Sequence, residues 1–371
     1  MNYTKRYSEL NSIFELGKNT KLPESNCHIQ FYPFKSKVFN FNKINGSDEI
    51  FSDGVSENQE FIYPVFVPDH ITNPGKALLL LHGLNERNWN KYLTWAEYLC
   101  GLTNKVVILF PIAYHINRSP SMWSNPRYLS GIYNLRRNKF TNDRSVSLAN
   151  VALSERISQN PYRFYSSGRQ SLIDITNLVT EIKNGYHPLF GKQTQLDVFA
   201  YSIGAFLSQI MFLSNPDNLF ENSKLFMFCG GGIFSSMFGQ SRTIMDKTAF
   251  DSLLNYYLHD FSVKKEAQND DIVKSFNAMI APERNIIQRR RFFENMENRL
   301  AGISLVRDIV IPYKGIEEAL GNKLTHKRII NTDFDYNYCH ENPFPVNAGT
   351  DSTKVNESFL NVFSKAAEFL N

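Results

Sequence analysis

The chain has 371 residues, enough to bury a large core, and is 42% hydrophobic, 14% aromatic and 20% charged. That composition is globular and excludes a disordered chain. Forty Lys and Arg against 36 Asp and Glu leave a net charge of +4, too small a balance to argue for a nucleic-acid partner.

At the N-terminus, MNYTKRYSELNSIFELGKN has no apolar core long enough for secretion. No later run approaches the ~18 apolar residues of a membrane span. Cys27, Cys100, Cys229 and Cys339 are far apart and lack metal or disulfide spacing. A cytoplasmic protein with scattered thiols is expected, with no membrane span; the sequence says nothing of its oligomeric state.

Residues 1–60 read as a mixed, polar extension with turn signals at Asn45-Gly46 and Asp53-Gly54. Two alternating runs, HIQFYPF from His28 and EFIYPVFVP from Glu60, suit edge strands. From Lys76 the pattern changes. ALLLL (Ala77–Leu81) is a continuous apolar run, as in a strand covered on both faces. It stops at His82-Gly83, and Trp89, Tyr92, Leu93, Ala96 and Leu99 follow at helical spacing. VVILF (Val106–Phe110) is a second such strand. SLIDITNLVTEIKN (Ser171–Asn184) is helical by period, and LDVFA leads into a helix over 203–214. LFMFC, a stretch near Ile303, and KRIIN (Lys327–Asn331) complete the strands, and VNESFLNVFSKAAEFL closes the chain as a helix. Buried strands alternating with helices predict a parallel α/β sheet.

Two sections break the alternation. Residues 112–167 carry few periodic signals and read as a cleft-lining excursion. Residues 232–300 read as a helical lid, with FDSLLNYYLHDF and IIQRRRFFENMENRL as its helices. The core is then 61–231 and 301–371. Within the lid, QRRRFF (Gln288–Phe293) is basic beside aromatics, better read as a solvated helix face than a phosphate site. The aromatic FDSLLNYYLHDF reads as lid packing rather than an acyl channel.

LDVFAYSIGAFL (196–207) places Ser202 on a strand-to-helix corner between small Ala200 and Gly204. Small flanking residues are what a strained nucleophile corner needs. A serine hydroxyl also needs a base, and the base an orienting acid. Asp308 in VRDIVIP follows one late strand and His340 in YNYCHENPF the next, so both side chains reach the sheet edge of Ser202. Asp333 and Asp335 compete as acid but lie too close to His340 in sequence. His326 competes as base but precedes the last strand. For the oxyanion, the N–H of Ile203 at a helix start and that of Leu84 in HGLN are the expected donors. His82 reads as a residue shaping that loop.

The residues LLLLHGLN (Leu78–Asn85), AYSIG (Ala200–Gly204), DIVIP (Asp308–Pro312) and the late His340 make the chain resemble an α/β-hydrolase over roughly 60–371. The resemblance implies an eight-stranded, mostly parallel sheet and acyl transfer through a covalent acyl-enzyme. It implies no particular substrate. On this reading the protein is a serine acyl hydrolase, esterase-like, acting on a small-molecule acyl substrate without metal or organic cofactor. A peptidase or thioesterase of the same fold, or a non-catalytic binding protein, stands as the alternative. Two features depart from the pattern: Ala200 replaces the first glycine of the corner, and PIAYHINRSPSMW (Pro111–Trp123) is a long loop. That loop brings His115, Arg118, Ser119 and Trp123 toward the cleft mouth. Gly83, Tyr201, His115, Arg118 and Trp123 are the substrate-binding candidates. Arg118 either anchors an anionic substrate or pairs with a loop carboxylate.

Overall fold

The computed structural model describes residues 2–37, 54–261 and 269–371; the predicted turn at Asn45-Gly46, and Asp53 of the next one, lie outside them. In chain order the elements used below are α1 (Tyr3–Ile13), β1 (Thr20–Lys21), β2 (Cys27–Lys35), β3 (Glu60–Pro68), β4 (Lys76–Leu81), α2 (Asn90–Thr103) and β5 (Val106–Leu109). Then come α3 (Pro126–Lys139), α4 (Val151–Gln159), α5 (Tyr162–Asn184), β6 (Gln195–Tyr201), α6 (Ile203–Ser214) and β7 (Leu225–Phe228). The last are α7 (Lys247–Asn255), α8 (Asp271–Ala278), α9 (Ile286–Asn295), β8 (Leu300–Leu305), α10 (Tyr313–Leu320), α11 (Asn322–Arg328), β9 (Ile329–Thr332) and α12 (Ser352–Leu370).

The strands form one sheet in the order β1-β2-β3-β5-β4-β6-β7-β8-β9. β1 to β3 pair antiparallel, β3 joins β5 antiparallel, and every pair from β5 to β9 is parallel. The fold is thus the mixed α/β, mostly parallel sheet flanked by helices that the alternation predicts. It has nine strands rather than eight, because two-residue β1 extends the edge.

The apolar runs are continuous because successive side chains point to opposite faces and both faces are covered. Ala77, Leu79 and Leu81 join the core under α5 and α6, while Leu78 and Leu80 join the core under α1, α2 and α12. Val106 and Ile108 divide from Val107 and Leu109 in the same way. α1 was not legible: only Tyr3, Arg6 and Leu10 of it are buried. Its anchor is ionic as well as apolar, with Arg6 donating to Glu97 of α2 at 2.8 and 2.5 Å. Tyr3 stacks on Phe359 of α12 at 4.2 Å.

The sparsely periodic stretch 112–167 contains α3, α4 and the first turn of α5, a 23-residue helix that begins nine residues before Ser171. α4 packs mainly on α3 and α7, and also on α5, where its Ile157 joins the main core. The joint is a buried ionic cluster: Arg136 bonds Asp246 through Nε and Nη2, and Nη1 reaches Glu155 at 2.9 Å. Polar residues that pair across accessory helices blur the apolar period used to read helices.

The cluster in α9 is only partly a solvated face. Arg289 turns inward and donates to the carbonyls of Ala278, Pro282, Arg284, Glu318 and Ala319. Burial lowers its guanidinium to about 10. A guanidinium so engaged has no role as a phosphate site.

Another ion pair ties the parallel strands to the end of the chain. Lys105, just before β5, donates from Nζ to Asp197 of β6 at 2.7 Å and to the carbonyl of Leu370, with both ionic side chains at most 3% exposed. Removing one partner leaves a buried charge unbalanced. Lys105→Met is expected to lower stability by about 3–5 kcal/mol, read as a fall in the urea midpoint.

Candidate active site

Ser202 occupies the corner between β6 and α6 with φ 56 and ψ −123. A side chain at that φ/ψ is strained by ~1–3 kcal/mol, so neighbouring contacts must hold it. They do so through glycine. A Cβ on Gly204 would lie 2.7 Å from the carbonyl oxygen of Leu81 and 2.8 Å from that of His82. α6 therefore starts against the end of β4, as no other residue would allow. On the other side Ser202 donates its N–H to the carbonyl of Phe228 at 3.2 Å. Ala200 is a buried strand residue registered with Leu81 and Met227, so its methyl lies in the sheet core and not at the tight point.

Around the corner the side chains form one hydrogen-bonded line. Ser202 Oγ is 2.6 Å from His340 Nε2, and His340 Nδ1 is 2.8 Å from Asp308 Oδ2. All three are buried. Asp308 Oδ1 also accepts the N–H groups of Val310 and Ile311 at 2.9 and 3.0 Å, which orients the carboxylate. A carboxylate that accepts on both oxygens places the imidazole proton on Nδ1. Nε2 is then free to accept from Ser202, and the line can draw off the hydroxyl proton.

The rivals lie elsewhere. His326 is on α11, exposed, and bonds Glu317 at 2.9 Å. Asp333 pairs with Arg307 and Asp335 with Lys354.

The loop after β4 is built around His82. Its Nδ1 bonds the carbonyl of Gly83 at 2.8 Å, and its Nε2 accepts the N–H of Ile112 at 2.9 Å. Burial, with His115, Lys91 and Arg118 adding to it, holds His82 well below the ordinary histidine range, so the ring stays neutral and can fill both roles. The Gly83 carbonyl belongs to the same planar peptide as the Leu84 N–H, so pinning one orients the other. Gly83 itself donates to Tyr92 Oη at 2.9 Å, and Tyr92 donates to Glu86 Oε1 at 2.7 Å. The Ile203 N–H is at the first position of α6, where no intrahelical acceptor exists.

Tyr201 backs the site. Its ring lies 5.7 Å from the His340 ring, nearly parallel, and its hydroxyl donates to the carbonyl of His340. The Lys91 ammonium lies 4.7 Å from the Tyr201 ring centroid and donates to the carbonyl of Glu341 at 2.9 Å. Lys91, Tyr92 and Glu86 were missed in the sequence. Their only signal was closeness to HGLN, since a supporting residue carries no motif.

Two cavities adjoin Leu84. One is apolar and lined by Leu84, Ile112, Phe164, Ile203, Phe206 and Phe276 among others. The second is more polar and includes Arg87, Tyr114, Trp123 and Arg156. Leu84, His115, Phe164 and Ser167 form the wall between them. Trp123 carries the Arg156 guanidinium 3.8 Å from its ring centroid.

The substrate-binding candidates therefore separate. His115 and Trp123 line a cavity, while Gly83 and Tyr201 line neither of the two and support the site from behind. Ser119 is part of the polar cavity. Arg118 is corrected: it is fully buried, donating to Asp174 at 2.7 Å, to Asn58 Oδ1 and carbonyl at 3.1 Å, and to the Pro111 carbonyl at 3.1 Å. So engaged, it braces the loop over α5 and leaves no anchor for a substrate anion. Among the described residues no His, Cys, Asp and Glu cluster suits a metal ion, and no helix is long and apolar enough to cross a membrane.

Gly204→Ala is expected to lower stability by about 1–3 kcal/mol, measured by urea unfolding, because the new methyl meets two backbone carbonyls that cannot move independently.

No curated protein matches the chain. Among solved structures it is similar to an esterase of Pyrobaculum calidifontis, at 10% identity over 99% of this chain and 90% of that one, TM-score 0.46. It is also similar to carboxyl esterase 2 of Tuber melanosporum, at 8% identity over 99% and 96%, TM-score 0.43. A Pyrococcus horikoshii acylaminoacyl peptidase matches at 11% identity over 94% of this chain and 41% of its own, TM-score 0.45. The model of one family covers residues 1–371, and the chain belongs to it: DUF6051, described as a family of unknown function.

Proposed function

We propose that the protein is a serine-dependent acyl hydrolase acting on small-molecule esters. The observation that carries this reading is the buried line from Ser202 Oγ through His340 to Asp308, at 2.6 and 2.8 Å, on a corner strained at Ser202.

Ser202 attacks the acyl carbonyl while His340 Nε2 takes its proton, and Asp308 stabilises the imidazolium that forms. The N–H groups of Ile203 and Leu84 receive the developing oxyanion. His340 then returns the proton to the leaving group, and water enters by the reverse sequence to free the acyl-enzyme. This chemistry needs no metal or organic cofactor.

Residues 61–231 and 301–371 form the catalytic core in this reading. Residues 112–167 line the cleft, supported by His115, Trp123 and Phe164 in the cavity walls. Residues 232–300 act as a lid, supported by Ile272 and Phe276 of α8 in the apolar wall. A peptidase or thioesterase would use the same groups and differ in the leaving group.

Ser202→Ala is expected to cut p-nitrophenyl ester turnover by at least about a thousandfold with circular dichroism unchanged. Asp308→Asn is expected to cost about 10⁴-fold by imposing the wrong histidine tautomer. A fluorophosphonate probe should label the native protein and not the Ser202→Ala variant. Undiminished turnover in that variant, or no labelling of the native protein, would overturn the proposal and favour a binding role.

A further inference from the structure

His115 is the polar residue in the wall between the two cavities whose hydrogen bonding the site has not explained. It is 7% exposed and lines both spaces, as does Leu84, the residue bearing one of the two oxyanion N–H groups. Its Nδ1 lies 2.9 Å from the carbonyl of Ala113. A carbonyl only accepts, so the ring proton is on Nδ1 and Nε2 carries a bare lone pair. Burial holds the ring down to about 4, with Arg156 and Arg118 acting in the same direction, so it remains neutral near pH 7. No protein donor among the described residues bonds that nitrogen. That nitrogen is not sealed inside the protein, and the residue lines both cavities, so a ligand N–H or O–H can reach it.

We propose that the substrate's acyl group runs into the apolar cavity and carries an O–H or N–H donor near its carbonyl, which His115 Nε2 accepts. This deepens the acyl-hydrolase reading and rests on it. The apolar wall, with Phe164, Phe206, Phe276, Ile112 and Ile210, takes the chain, and His115 reads the polar substituent at its head. A hydroxyacyl ester and an acylamino ester supply the same donor chemistry. A site built to hydrogen-bond a substrate donor discriminates against analogues that lack it.

The test compares p-nitrophenyl hexanoate with its 2-hydroxy and 3-hydroxy counterparts and with an N-acetylaminoacyl p-nitrophenyl ester of similar length. At least one donor-bearing ester is expected to exceed hexanoate by tenfold or more in kcat/KM, and which one does so identifies the donor. In His115→Phe, which keeps a flat ring and loses the acceptor, that ratio should fall to near one. In His115→Gln, which restores an acceptor oxygen, the ratio should partly return. A ratio near one in the native enzyme overturns the inference whether or not the variants fold, as does an unchanged ratio in His115→Phe. Failure of the hydrolase reading looks different: no ester is turned over and the fluorophosphonate does not label Ser202.

Discussion

The contact on which the site depends is that between Gly204 and the carbonyl end of β4. A helix start so close to β4 that a Cβ on Gly204 would lie within 3 Å of the Leu81 and His82 carbonyl oxygens accompanies the φ of 56 at Ser202. Backbone strain at a side-chain-bearing residue persists only when its surroundings over-determine it. Here β4 supplies the wall, β7 accepts the Ser202 N–H, and α6 carries the chain away. The same end of β4 continues into His82 and Gly83, so one strand terminus sets both the serine and the peptide that faces it. The distance between the two is a property of the sheet register, which pairs Leu81 with Ala200.

The outer layers explain why that sheet edge is a cleft and not a surface. α1, α2 and α12 cover one face, and α5 and α6 the other. α8 comes back onto α6 from the segment between β7 and β8, and the loop after β5 is held down by Arg118 on Asp174. The cavities lie between these additions. Their walls come from the segments between the strands, while Ser202, Asp308 and His340 follow strand ends.

That division decides what could be read from the chain. Strands buried on both faces write themselves as unbroken apolar runs, which is why Ala77–Leu81 and Val106–Phe110 stood out. Ser202, Asp308 and His340 were legible as candidates because each follows a strand read from the sequence, in the order that the family resemblance implies. Arg118 misled because sequence position gave proximity to the cleft but not the direction of a long side chain, and Asp174 is 56 residues further along the chain. α3 and α4 were hidden because their joint combines a small apolar patch, Leu129 with Val151 and Ala152, with the polar cluster of Arg136, Glu155 and Asp246. The helix of Tyr3–Ile13 was hidden for a related reason, since a short contact face plus one ion pair is enough to dock it.

The hydroxyl of Tyr201 bonds the backbone of His340 itself. The residue that immediately precedes the serine thus grips the loop bearing the histidine, and Lys91 grips the next residue of that loop. A displacement of the loop over 333–351 would have to drag β6 with it before the serine and the imidazole could part. The spacing of the serine and the imidazole is in this way tied to β6 and α2 rather than to the segments that line the cavities.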